Sequence, residues 1–132
     1  MDVLGRIISK GKASGPVLIS KDSISFLGGV DPKTGIVIEK GHAIEGKNVS
    51  GKVLVFPSGK GSTVGSYVML QLKKNGTAPV AIINLEAEPI IAVGAIIAHI
   101  PLLDQLEKDP FKLLKDGQTV TVDADKGILS YV

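Results

Sequence analysis

The chain has 132 residues, 44% of them hydrophobic, with 15 Lys and Arg against 13 Asp and Glu, so its formal net charge is only +2. The length allows one domain with a real core. The weak charge, with two tyrosines, three phenylalanines and no tryptophan, leaves no basic, aromatic-interleaved surface for nucleic acid.

Cysteine is absent, which excludes a disulfide or a thiolate-bound metal in this chain; any iron–sulfur chemistry must come from a partner. The N-terminus shows no apolar signal segment. The longest uncharged apolar stretch, Pro89 to Leu103, is shorter than the ~20 residues that span a bilayer and is interrupted by Gly94, His99 and Pro101. These features lead us to expect a cytoplasmic protein with no membrane partner. There is no internal repeat, low-complexity tract or linker, so residues 1–132 read as a single α/β domain dominated by strand.

In chain order, Val3 to Ile8 reads as a first strand, Gly11 to Gly15 as a turn-rich connection, and Pro16 to Ser20 as a second strand. Ser23 to Phe26 alternates polar and apolar, which predicts a half-exposed strand. Leu27 to Gly35 is a glycine-rich loop with a turn signal at Asp31-Pro32. It is either a surface connection or a second wall of a site. Ile36 to Glu39 returns to strand, and Lys40 to Ser50 is a polar loop. This loop holds His42, read first as structural because no second ligand stands at metal-binding spacing. Gly51 to Phe56 predicts a buried strand, and Tyr67 to Lys74 a helix closed by Asn75-Gly76. Ala78 to Leu85 predicts a strand covered on both faces, which completes a βαβ unit. Glu86 and Glu88 flank a predicted helix start, and we read them as helix-terminus carboxylates rather than an acid–base pair. Periodicity leaves Ile90 to Ala98 open between helix and strand. Asp109-Pro110 opens a small helix ended by Gly117. Gln118 to Asp123 and Ile128 to Val132 form a hairpin around the turn 124–127.

The most informative stretch runs from Pro57 to Tyr67, between the buried strand and the first long helix. Gly59 and Gly61 allow close approach to the backbone. The amides that open the following helix lack internal partners, and their dipoles favour an anion. Lys60 adds a cation, and Ser62 and Thr63 add hydroxyls. A nucleotide-binding P-loop is excluded, because Leu54 stands where its first glycine belongs and Gly61, not Ser or Thr, follows Lys60. The Gly-x-Ser-x-Gly elbow of hydrolases is absent as well. An anion-receptive loop and a plain helix-capping turn both remain open on this pattern.

Several segments together resemble the swivel domain, or small subunit, of the aconitase X group. They are Asp31-Pro32-Lys33-Thr34-Gly35, His42 with Gly46, Gly51 through Ser62, Ala92-Val93-Gly94-Ala95-Ile96, and Ile100-Pro101. The resemblance runs in order along nearly the whole chain. It implies a swivelling β/β/α domain, strand-rich and barrel-like with few short helices, that closes over a larger catalytic subunit to form a heterodimer. That large subunit would carry the iron–sulfur cluster, of the [4Fe-4S] type. In archaea a free-standing chain of this size resembles the small subunit of a hydro-lyase acting on (R)-5-phosphomevalonate. That enzyme removes water to give trans-anhydromevalonate 5-phosphate, in the mevalonate route to isoprenoid precursors. Relatives dehydrate hydroxyproline or other hydroxy acids, often as one fused chain.

By motif position, the resemblance makes Ser62 the proton acceptor, with the partner's cluster acting as Lewis acid on the departing hydroxyl. The loop residues Gly59, Lys60, Gly61 and Thr63, with Asp31, Thr34 and His42 beyond them, are the candidate substrate- or anion-binding positions. Many relatives carry arginine where this chain has Lys60; lysine keeps the charge but loses the planar two-point grip. A serine is a poor base at its free pKa. Lowering that pKa tenfold in acidity requires ~1.36 kcal/mol, whereas an exposed helix N-terminus offers only about 0.3–1 kcal/mol. The partner must therefore supply most of the activation, and the chain alone is expected to be inactive. The competing expectation is a non-catalytic phosphate-binding or interaction module in which Ser62 only caps a helix.

Overall fold

The computed structural model describes residues 1–61 and 63–131. Its architecture follows from the two apolar runs. Val53–Phe56 (β4) and Ala81–Asn84 (β5) are buried along their whole length. Successive side chains of a strand face opposite ways, so such runs need cover on both faces. Val53, Val55, Ala81 and Ile83 point into one core, shared with Val17, Leu103, Val120, Val122 and Leu129. Leu54, Phe56 and Ile82 point into a second core, against Val68, Met69, Leu72, Ile91 and Ala95 of two helices.

Those helices are α2 (Gly65–Asn75) and α3 (Pro89–Ile97). Each follows one of the buried strands and returns the chain to a parallel neighbour. β4 pairs in parallel with β5, and β5 with β6 (Leu102–Asp104). The predicted βαβ unit is therefore present and is followed by a second. The other strands are β1 (Asp2–Leu4), β2 (Arg6–Ser9), β3 (Lys12–Ile19), β7 (Thr119–Asp123) and β8 (Ile128–Ser130). The sheet order is β1-β8-β7-β3-β4-β5-β6-β2. Its first and last strands are joined by Gly5 alone, so the sheet curls round and its two ends meet. This is the strand-rich, barrel-like domain that was expected, with its helices over the parallel half.

Several local readings change for reasons that lie in the tertiary pairing. The predicted first strand breaks at Gly5, where the chain leaves β8 and joins β6; the Gly5 amide donates to Gly127 O at 2.9 Å. Residues 11–15, expected to turn, are mostly strand: Lys12 to Pro16 pair with Asp123 to Thr119 of β7. A side chain at Gly15 would lie 2.9 Å from the Gly51 carbonyl oxygen, so glycine there admits a neighbouring backbone. Ile36 to Glu39 forms only isolated bridges, Val30 with Val37 and Ile36 with Asn48. The expected strand Ser23 to Phe26 shrinks to one parallel bridge, Ile24 with Gly59, and leads into α1 (Phe26–Gly29), a turn whose Leu27 and Gly28 are not helical. The ambiguous run 90–98 is helical because Glu88 caps it and Pro89 opens it. The Asp109-Pro110 helix, α4 (Pro110–Leu113), is a single turn. It ends before Gly117 because Leu114 is already extended.

One ion pair fastens the closing strand. Arg6 Nε and Nη2 donate to Asp104 Oδ1 and Oδ2 at 2.9 and 2.7 Å, and Ala87 N donates to Oδ2 at 2.8 Å. Hydrogen bonding to Asp104, and then its charge, raise the Arg6 guanidinium above the usual arginine range. A raised cation contributes at every pH below the ordinary arginine range and loses that contribution only as pH climbs through the raised value. Arg6 therefore brings no pH dependence near neutrality.

Candidate functional site

The segment between β4 and α2 lies where the parallel strands end, the usual place for ligand loops in α/β sheets. Its first half is held like a short strand. Ile24 N donates to Ser58 O at 3.2 Å and Lys60 N to Ile24 O at 3.1 Å. Behind this bridge stands His42, which is buried. Its Nε2 lies 2.9 Å from Ser23 O, and its Nδ1 lies 3.2 Å from Ile44 N, which donates to it. These partners assign the proton to Nε2. Both ring nitrogens are used within the fold, so His42 buttresses the segment that carries the loop.

Gly59 is enclosed: a side chain there would collide with Ile91 and with the Glu88 carboxylate. Gly61 has φ +91°, and a Cβ would meet Ser25 Oγ at 2.5 Å, so both conformation and space require glycine. Ser62, the expected proton acceptor, lies outside the described residues. Immediately after it, Thr63 is exposed and Val64 already has helical dihedrals, φ −63° and ψ −17°. Ser66 N donates to Thr63 O at 3.3 Å, and the residue at the N-terminal cap of α2 is the apolar Val64. Gly61 and Thr63 therefore bracket the opening of the helix on the solvent side.

Lys60 reaches across the loop to Glu39, with Nζ 3.1 Å from Oε2 and side chains 48% and 31% exposed. An ion pair this open is worth about 0–1 kcal/mol, so an incoming anion can compete for the ammonium. Nothing in the spacing of residues 39 and 60 announces this pair. By contrast, Glu88 before Pro89 is a readable capping signal, and its carboxylate accepts from Ile90 N at 2.9 Å and Ile91 N at 2.7 Å.

The structure brings Gly59, Lys60, Gly61 and Thr63 together and sets His42 one layer behind them. It does not bring Asp31 and Thr34 there. Asp31 Oδ1 accepts from Lys33 N at 2.9 Å and Thr34 Oγ1 from Ile36 N at 3.2 Å. Their turn is fastened through Pro32 O to Asn75 Nδ2 and Thr77 Oγ1, both at 2.8 Å, at the far end of α2. Eleven helical residues at ~1.5 Å each separate that end from the loop by roughly 16 Å.

Two concavities adjoin the loop. A crevice of about 480 Å³ lies beside the β5–α3 connection, with Ser58, Glu86 and Glu88 in its wall. A smaller, almost wholly apolar one of about 240 Å³ lies between Thr63, Ser66, Pro89, Ile90 and Val93. Among the described residues no group of three or more His, Asp or Glu could hold a metal ion. With no cysteine in the sequence and both nitrogens of His42 engaged, these residues do not fit an iron–sulfur cluster.

Residues 2–131 match the family described as the aconitase X swivel domain. A phosphomevalonate dehydratase small subunit from Methanocella arvoryzae is 65% identical over 129 residues, covering 98% of each chain. Another, from Methanosarcina mazei, is 68% identical over 125 residues, covering 95% of this chain and 87% of that one. Among solved structures, Thermococcus kodakaraensis aconitase X in its holo-form superposes with a TM-score of 0.94 at 52% identity, over all of this chain and 98% of that one. With its closed sheet, its two βαβ units and its glycine-rich loop at the opening of α2, the chain belongs to the aconitase X swivel-domain family.

Proposed function

We propose that this chain is the small subunit of a dehydratase that removes water from (R)-5-phosphomevalonate to give trans-anhydromevalonate 5-phosphate, and that Ser62 accepts the proton. The observation that carries the reading is the 65% identity, over 98% of both chains, to a subunit bearing that name.

The loop chemistry supports it. The Gly59 and Gly61 backbone, the Lys60 ammonium and the opening of α2 offer donors and positive charge to a phosphate or carboxylate. Binding exchanges the Lys60–Glu39 contact for one with the substrate. Ser62, between Gly61 and Thr63, removes the proton next to the substrate carboxylate. Thr63, exposed beside it, offers a second hydroxyl to the same anion. Ser62 needs activation that an exposed helix start cannot supply, so a large subunit must close over it, exclude water and add charge. The iron–sulfur cluster belongs to that subunit in this reading, and no step on this chain's residues runs through it. The chain works in the cytoplasm, as one half of a heterodimer, and is inactive alone.

The test is dehydration of 5-phosphomevalonate by the two chains purified together without oxygen, with each chain alone as control. Activity is expected only in the mixture. Turnover by this chain alone would overturn the two-subunit mechanism. A stable, cluster-bearing complex with no turnover would overturn the substrate and move it to another hydroxy acid.

A further inference from the structure

The outward face of α3 is apolar where a surface helix ordinarily turns polar residues to water. The helix reads Pro-Ile-Ile-Ala-Val-Gly-Ala-Ile-Ile, without one polar side chain. Ile91 and Ala95 fill the core beneath it. Gly94 lets α2 approach so closely that a side chain there would lie 3.1 Å from Ser66 Cα. That leaves Val93, Ile96 and Ile97 facing outward, 51%, 52% and 40% exposed. The small apolar concavity lined by Thr63, Ser66, Pro89, Ile90 and Val93 joins this face to the opening of α2, and Val64 and Tyr67 in that first turn are also exposed, 45% and 65%. Large apolar side chains gathered on one exposed face in this way mark a surface for a partner.

We infer that this face, from Tyr67 and Val64 across Val93 to Ile96 and Ile97, is the surface on which the large subunit docks. The inference rests on the proposed function for the existence of that subunit; the face itself is assigned from this chain's geometry. The face supplies the apolar centre of an interface, and the exposed loop residues Lys60, Gly61 and Thr63 supply a polar rim. It is also continuous with the candidate site, since Thr63 and Ser66 line the concavity that Ile90 and Val93 close. A partner that completes the site therefore covers α3 in the same contact. A second copy of this chain would cover the face without completing the site beside it. The partner surface complementary to it is apolar, with acceptors placed at its edge for the loop.

The experiment measures the affinity of the purified large subunit for Val93→Lys and Ile97→Glu variants, each confirmed as folded by circular dichroism. Leu4→Lys, the same kind of change at an exposed apolar side chain of β1, is the control. We expect about 100-fold weaker association for Val93→Lys and Ile97→Glu, no change for Leu4→Lys, and restored turnover when the variant complexes are saturated. Tyr67→Phe, which keeps the apolar ring, should bind within about twofold while Tyr67→Ala loses about tenfold. Affinity unchanged in Val93→Lys and Ile97→Glu would overturn the assignment. So would variants that abolish self-association of this chain yet keep the large subunit, since the occupant would then be a second copy. If the variants weaken assembly but the wild-type pair leaves 5-phosphomevalonate untouched, the docking face stands and the proposed substrate falls.

Discussion

Two loops leave the parallel strands side by side and open a helix each, yet they end differently. The β5–α3 connection is short. It places Glu88 so that one carboxylate takes two of the amides at the helix opening, with Pro89 in the first turn. The position that favours an anion is already filled by one, from the chain itself. The β4–α2 connection is longer, and it carries Lys60 and the exposed Gly61 and Thr63 at the same position. A helix start is a general anion site by physics; at α3 the chain supplies its own anion, and at α2 it sets a cation beside the opening.

Substitutions sharpen that contrast. The largest effect belongs to Ser62→Ala, expected to lower kcat of the assembled enzyme by about 10²–10⁴-fold with unchanged assembly. Lost assembly at a preserved rate per complex would instead make the loop a structural cap like its neighbour. Gly59→Ala sets a methyl group against Ile91 and Glu88, where the two loops touch. It should cost about 1–3 kcal/mol in urea denaturation, and an unchanged midpoint would mean that the loops are not packed together. Lys60→Ala should raise KM for the phosphorylated substrate about tenfold with kcat little altered, measured by steady-state kinetics; a fall confined to kcat would move the lysine's role from binding to chemistry. Glu88→Ala should destabilise the fold by about 1 kcal/mol and leave KM alone, the reverse of the Lys60 result. Smallest of all, Glu39→Gln should change stability by less than about 0.5 kcal/mol while lowering KM slightly, because it frees Lys60. A higher KM would show that Glu39 orients the lysine rather than competing for it.

What the sequence made legible was whatever depends on neighbours along the chain. The apolar runs 51–56 and 78–85 announced buried strands, the second covered on both faces, Asp109-Pro110 announced a helix start, and the alternation in 118–123 announced a hairpin arm. Glycine misled where its cause was distant. Gly15 lies in a strand because the Gly51 carbonyl passes close by, and Gly5 marks the change from one partner strand to another. At the site, the glycines, the lysine and the hydroxyls of one loop could be read together because they are contiguous. The contact of Lys60 with Glu39, the enclosure of Gly59 by α3 and the support from His42 through Ser23 could not. Asp31 and Thr34 belong to a motif that matches the family in order, but α2 stands between them and the loop. Order along the chain carries no information about that distance.

The junction at Gly5 has a consequence for what this molecule can join. β1 and β2 occupy opposite ends of the sheet order and are nevertheless one run of chain. An open sheet exposes a row of amides and carbonyls at each margin, and another polypeptide can extend it by adding a strand. Here the two margins are the same polypeptide, pinned by Arg6 on one side and by the Gly5 amide on the other. Recognition by sheet extension, and the fibrous self-association that follows the same route, are both disfavoured by this closure. What remains for a partner to read is shape and side chains.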